Sequence, residues 1–293
     1  MKRIIVVGSS NTDMVVKTDR FPRPGETIVG GEFFLFAGGK GANQAVAAAR
    51  LGGRVQFVAR VGEDLFGQQA IDGFMEEGID CTFIERDPDH ASGTALITVD
   101  GQGENSIVVA PGANDALLPE HLREVDFSDA LVLAQLETPV PTILEAARRA
   151  AGGMILNPAP ARPLPEEIYP LLLAITPNET ETELLTGVAI TEEPGTRDLA
   201  ANKLLAKGVK HVIITLGAKG AYYSNGEESF IVPAPVVDAV DTTAAGDVFN
   251  GALVVALARN YAWREAINYA VKAASIAVTR MGAQASAPRE EEL

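Results

Sequence analysis

The run Val240-Asp241-Thr242-Thr243-Ala244-Ala245-Gly246-Asp247-Val248-Phe249-Asn250-Gly251 places small residues and one acid where the pattern predicts the start of a helix. Ala244, Ala245 and Gly246 leave their N–H groups unshielded there, so backbone and helix dipole together form an anion hole. Asp247 falls in the first turn, where an acid either complements the dipole or acts as a base beside a phosphoryl group in transfer. The same helix field is expected to lower the Asp247 pKa and keep the group ionised. A weak base suffices for phosphoryl transfer, because in a loose transition state the attacking hydroxyl loses its proton late.

A second stretch, Ala37-Gly38-Gly39-Lys40-Gly41-Ala42-Asn43-Gln44, runs straight into an Ala-rich helix. Its glycines allow close backbone approach to a ligand, although a plain helix-entry turn would read the same way. It is not a Walker A loop: Gly41 stands where Ser or Thr must follow Lys40, and Phe34 where the first glycine would be. Other chemistries find no support. His90, His121 and His211 lack metal-ligand spacing, and no G-x-S-x-G elbow occurs.

These stretches need a scaffold. The β-branched run Arg3 to Val7 ends at Gly8-Ser9-Ser10 and predicts a buried strand. Further apolar runs at 55–59, 130–134, 154–156 and 211–216 alternate with helical patterns at 42–51, 65–77, 140–151 and 197–207. That alternation predicts a mostly parallel sheet covered by helices on both faces, an α/β/α arrangement. Met14 to Phe36 and Ser92 to Val109 break the rhythm; the second reads as a hairpin around Asp100-Gly101. Strands without crossover helices predict a small β-lid over one edge, formed by about 12–37 and 92–110, on a single domain spanning 1–293. Two strong helices, 245–259 and 263–279, complete the chain.

The 293 residues are 47% hydrophobic and 22% charged, an ordinary globular composition. A net charge of −15 argues against nucleic acid and an anionic membrane surface as partners. Four apolar residues before Gly8 are too few for a signal-peptide core, no window approaches the ~20 apolar residues of a membrane span, and the single Cys81 reads as a small core hydrophobe. A cytoplasmic protein is expected.

Taken together, Gly38-Gly39-Lys40-Gly41-Ala42-Asn43 and Asp241-Thr242-Thr243-Ala244-Ala245-Gly246-Asp247 resemble the two motifs of the ribokinase (PfkB-type) family of sugar kinases. The resemblance continues through Asn11-Thr12-Asp13, Gln135-Leu136-Glu137-Thr138-Pro139, Thr176-Pro177-Asn178-Glu179-Thr180-Glu181 and Thr215-Leu216-Gly217, hence over nearly the whole chain. It implies a core sheet of about nine strands and a lid that closes over sugar and pairs two subunits into a homodimer. It also implies transfer of the γ-phosphoryl of ATP to the 5-hydroxyl of D-ribose, with Asp247 as base and Ala244, Ala245 and Gly246 as anion hole.

By the same pattern Asn11, Asp13, Gly39, Lys40, Asn43 and Glu137 hold the sugar together with Asp247, and Asn178, Thr215, Gly217, Gly246 and Val271 meet ATP. Asn178 also reads as a helix N-cap. Glu179, Glu181 and Glu183 suggest water-mediated support of Mg2+. An activating monovalent cation, K+, is implied at the Asp241 carboxylate, the carbonyls of Thr243, Ala277, Arg280 and Gly282, and Ser286. A related kinase of fructose, a nucleoside or a sugar acid is the nearest alternative, and a non-catalytic sugar- or nucleotide-binding regulator a more distant one. Asn43 and Glu137 favour a neutral sugar, since a sugar acid would call for an arginine.

Overall fold

A computed structural model describes residues 1–193 and 195–293. Its main sheet has nine strands: β1 (Arg3–Val7), β4 (Val55–Gly62), β5 (Asp80–Asp87), β8 (Ala130–Ala134), β9 (Met154–Leu156), β10 (Leu172–Ile175), β11 (His211–Thr215), β12 (Ala221–Ser224) and β13 (Ser229–Val232). Their order is β13-β12-β11-β10-β9-β8-β1-β4-β5. The pairings from β5 to β11 are parallel, and β12 and β13 add an antiparallel edge.

Strand alternation explains why two cores form. Ile4 and Val6 of β1 point to one face, where α1 (Lys40–Arg50), α6 (Ala245–Ala258) and α7 (Trp263–Ala277) cover them, with Phe74 of α2 (Leu65–Glu76) at the side. Ile5 and Val7 point to the other face, against α3 (Val140–Arg149), α4 (Glu179–Thr186) and α5 (Thr196–Ala206). Each of these fully buried aliphatic side chains contributes about 1.5–3 kcal/mol of transfer free energy. The result is the expected three-layer α/β/α core.

The segments without crossover helices pair as a separate four-stranded sheet, β3-β2-β6-β7, built from β2 (Asn11–Lys17), β3 (Glu32–Gly38), β6 (Gly93–Val99) and β7 (Asn105–Ala110). It is mixed: β2 pairs antiparallel with β3 but parallel with β6, and β6 and β7 form the hairpin. The strands β5, β10, β12 and β13 escape the sequence pattern, and of the eight-residue α4 only its N-cap Asn178 is read, because short or half-exposed elements carry little periodicity. Among the described residues no helix is long and apolar enough to cross a membrane.

One packing contact positions Asp247. A Cβ on Gly251 of α6 would come within 2.8 Å of both the Ala47 Cβ and the Gln44 carbonyl of α1. Only glycine lets the two helices approach this closely. Asp247 lies one turn before Gly251, so the same approach sets it beside Asn43 and Gln44.

Candidate active site

Asp247 sits 5% exposed in the first turn of α6. Asn43 Nδ2 donates to its Oδ2 at 3.0 Å, and Gln44 Nε2 donates to its Oδ1 at 2.9 Å. The expected lowering of its pKa does not hold. Burial raises the carboxyl above the ordinary range; the Lys40 charge and the amides of Gln44 and Asn43 oppose this, and Glu137 adds to it. The helix field alone would lower it, but desolvation is the larger effect for a carboxylate this deeply covered.

Ahead of Asp247, Ala244 takes a left-handed conformation, φ 60°, as the N-cap of α6. A non-glycine residue there stores strain of about 1 kcal/mol and turns the following amides toward a cavity. No protein acceptor meets the amides of Ala244, Gly246 or Asp247 among the described residues, whereas the Ala245 amide makes a 3.3 Å turn bond to the Thr242 carbonyl. The backbone cradle left without protein acceptors is thus formed by the amides of 244, 246 and 247, with Ala245 partly engaged; the expected anion hole named 244–246.

The cradle opens into a cavity of about 220 Å³ whose wall includes Lys40, Asn178, Glu181, Thr215 and Gly246. Asn178 caps α4, its side chain accepting from the Glu181 amide at 2.8 Å, while Glu181 Oε2 accepts from the Asn178 amide at 2.8 Å. Glu181 is thus held in a capping box, and Glu179 and Glu183 are exposed. Gly217 lies in the turn after β11, and Val271 is 6% exposed in the core cluster; neither lines the cavity.

On the other side of Lys40 the sugar candidates converge. Glu137 Oε2 accepts from the Lys40 amide at 2.8 Å and from Ser9 Oγ at 2.6 Å. Gly39 is the N-cap of α1, and Asn11, 9% exposed, begins β2. Burial, with the nearby charges of Glu137 and Asp247, lifts the Asp13 carboxyl to about 6. Burial alone would lower the Lys40 ammonium, but Asp247, Glu137 and Glu181 outweigh it and hold its pKa above the ordinary value. One partly buried cation thus stands among three acids, between the small sheet and the cradle.

At the rim, Asp241 Oδ1 accepts from the Thr243 amide and Oδ2 from the Gly282 amide, each at 2.9 Å. Partial burial pushes Asp241 up, but these bonds and the Lys17 charge hold it below its ordinary value. Ser286 is buried, its Oγ donating to the Ala283 carbonyl at 2.8 Å, and Ala277 and Arg280 lie at the C-terminal end of α7 and just after it. The histidines lie apart: His90 against Asp87, His121 in a 3-10 turn, and His211 on β11 against the Tyr223 hydroxyl. Cys81 is half-buried on β5, and burial lifts its thiol to about 11.

Sequence reasoning gave no role to several polar residues of the site, four of them within the motif stretches and Asn157 outside them. Gln44 also donates to Asn157 Oδ1 and accepts from Gln135 Nε2, and Thr176 Oγ1 donates to Asn250 Oδ1 at 2.6 Å, tying β10 to α6. The one signal was a glutamine beside Asn43 on an Ala-rich helix, since a buried polar residue there requires partners.

The family model described as pfkB family carbohydrate kinase matches residues 1–290. The chain belongs to the PfkB family of carbohydrate kinases. It is 44% identical over 298 residues to a ribokinase of Haemophilus influenzae, covering 99% of this chain and 97% of that protein. Among solved structures, a ribokinase of Thermotoga maritima matches with a TM-score of 0.92 at 43% identity, covering 100% of this chain and 98% of that one. An Arabidopsis thaliana ribokinase complexed with ribose and ATP matches with a TM-score of 0.93 at 33% identity, covering 99% and 96%. This kinase therefore shares its whole length with them, the nine-stranded core and the small sheet included.

Proposed function

We propose that this kinase transfers the γ-phosphoryl group of ATP to the 5-hydroxyl of D-ribose, giving ribose 5-phosphate and ADP. The observation that carries the reading is the Asp247 carboxylate, hydrogen-bonded by Asn43 and Gln44 and set directly after the unpaired amides of Ala244 and Gly246.

Ribose binds between the small sheet, which acts as a lid, and the C-terminal ends of the core strands, against Asn11, Asp13, Gly39, Lys40, Asn43, Glu137 and Asp247. As the bond from O5 to phosphorus forms and the bond from phosphorus to the ADP oxygen breaks, the hydroxyl proton passes to Asp247. The cradle amides and Lys40 take up the charge developing on the phosphoryl oxygens, and their fixed position supplies most of the rate. Asn178, Thr215 and Gly246 form the ATP side of the cleft, while Gly217 and Val271, also expected to meet ATP, stand outside the cavity wall.

The donor chemistry fits two ions. Glu181, whose oxygens keep free lone pairs beside the cavity, would support Mg2+ through water, and the ion would neutralise phosphate charge; Glu179 and Glu183, expected to share this role, lie off the cavity wall. Asp241, the carbonyls of Thr243, Ala277, Arg280 and Gly282, and Ser286 offer the oxygens a K+ ion prefers, and binding there would order the loop that carries the cradle. The exposed apolar face of the lid supports pairing into a homodimer, and the protein is read as cytoplasmic.

An ADP-release assay across pentoses, hexoses and nucleosides tests the reading. Ribose is expected to give the highest kcat/KM; a clear preference for fructose or a nucleoside moves the protein to another PfkB-type activity, and no turnover with any acceptor leaves the regulator.

A further inference from the structure

Asn114 lies in the 3-10 turn Gly112–Ala116, where the chain returns from the small sheet to the core, and is 1% exposed. Its Oδ1 accepts from the Ser10 amide at 2.9 Å; its Nδ2 donates to the Ser10 carbonyl at 3.2 Å and to Asn11 Oδ1 at 2.7 Å. The backbone of Ser10 leaves Asn114 no choice of orientation, because a flipped amide would set NH2 against N–H and oxygen against carbonyl. With Asn114 fixed, Asn11 is fixed too: its oxygen faces the Asn114 donor, so its two N–H groups remain for whatever lies beyond.

A second observation shows how closely the pair is fitted. Asn11 pairs in register with Gly93 at the start of β6, and a Cβ at Gly93 would overlap both Asn114 Nδ2 and Asn11 Oδ1. The two chain segments that enter the small sheet, at 10–11 and at 93, and the second of the two that leave it, at 112–116, thus meet on one amide.

We propose that Asn114 is a positioning residue for sugar specificity: it holds the Asn11 side chain with its NH2 toward the sugar, so that Asn11 can only donate. The inference rests on the reading of Asn11 as a sugar contact. A donor-only amide, two residues along the same strand face from the Asp13 carboxylate, an acceptor when ionised, matches a hydroxyl, which accepts from the first and donates to the second. A sugar lacking that hydroxyl leaves both buried groups unpaired, the arrangement by which enzymes reject deoxy analogues.

The substitution Asn114→Asp tests this. Its carboxylate would repel the Asn11 oxygen, turn the Asn11 amide over, and present an acceptor where a donor stood. The KM for ribose is expected to rise at least about tenfold, with kcat and the KM for ATP changed less than about threefold. In a series of singly deoxygenated riboses, the preference for ribose over one analogue is expected to fall by a similar factor, the others keeping their wild-type ratios. Asn114→Ala, which frees Asn11 to turn, is expected to give the same pattern at smaller amplitude and serves if the aspartate variant fails to fold. Unchanged ribose KM and unchanged discrimination in a folded variant overturn the proposal. So does a raised KM with every deoxy ratio at its wild-type value, which marks Asn114 as structural only. An Asn11→Ala variant with wild-type ribose KM would instead remove Asn11 from the sugar pocket, a separate failure.

Discussion

Gln44 and Asp247 meet across the α1–α6 contact, with Gln44 Nε2 2.9 Å from Asp247 Oδ1 and the glutamine oxygen accepting in turn from Gln135 Nε2. The carboxylate fixes the whole chain of amides. If Gln44 were flipped its oxygen would face Asp247, and the Gln135 donor would face an NH2 group. The buried carboxylate proposed as base is thus aimed by neutral donors on α1, a different helix from its own, and these donors oppose the upward push of burial.

Replacing Gln44 with Leu removes that donor while preserving most of the volume. Hydrogen bonds to charged groups are worth about 1.5–3 kcal/mol, so kcat is expected to fall about 10- to 100-fold at neutral pH. The Asp247 carboxyl is already raised by burial, and loss of a donor raises it further. Activity is lost as pH falls through the pKa of a base, so the acid limb of the kcat profile moves to higher pH. A pH-rate series measures this; an unmoved limb would mean that Gln44 does not act through Asp247.

Asp13 carries a stability penalty at neutral pH. Its carboxyl is raised to about 6 by burial and by Glu137 and Asp247. The folded protein therefore holds a proton that the unfolded chain releases near 4, and stability falls as pH rises from about 4 to 6, then levels. The difference is on the order of 3 kcal/mol. Asp13→Asn is expected to flatten this dependence in calorimetric scans at pH 5 and 8, to raise the Tm at pH 8, and to weaken ribose binding. An equally steep pH dependence in the variant would assign it to another group.

The lid presents a row of apolar residues across its strands, Leu35, Met14, Leu96 and Val108 in register, with Leu35, Leu96 and Val108 half or more exposed. An apolar sheet face of this kind marks an interaction site. In sedimentation experiments the wild-type chain is expected to be a dimer at micromolar concentration, and Leu96→Glu with Val108→Glu a monomer. A monomeric wild type would refute lid pairing.

For the cation, rates in potassium are expected to exceed those in a tetramethylammonium buffer of equal ionic strength. Asp241→Asn, which removes a charge from the proposed site, should narrow the gap. Equal wild-type rates in the two salts would rule out an activating role for the site.

Much of this architecture was legible in the sequence because it obeys strong periodicities. Buried strands such as Arg3–Val7 are continuous apolar runs, and the two segments without helices had to form strands elsewhere. The helix start at Ala245 was legible because a run of small residues precedes it. Effects that need three dimensions stayed hidden. The upward shift at Asp247 depends on how completely α1 covers it, and the roles of Gln44 and Asn114 depend on partners 203 and 104 residues away. Single Asn and Gln residues in an apolar context announce a partner without saying where it lies.

The most direct test of the central reading is the turnover of Asp247→Asn beside its ribose affinity, measured by calorimetry. The asparagine keeps the shape but cannot take a proton, so kcat is expected to fall by about 10²–10⁴-fold while ribose still binds. A variant that binds ribose and turns over within a few-fold of wild type would contradict the assignment of Asp247 as the base.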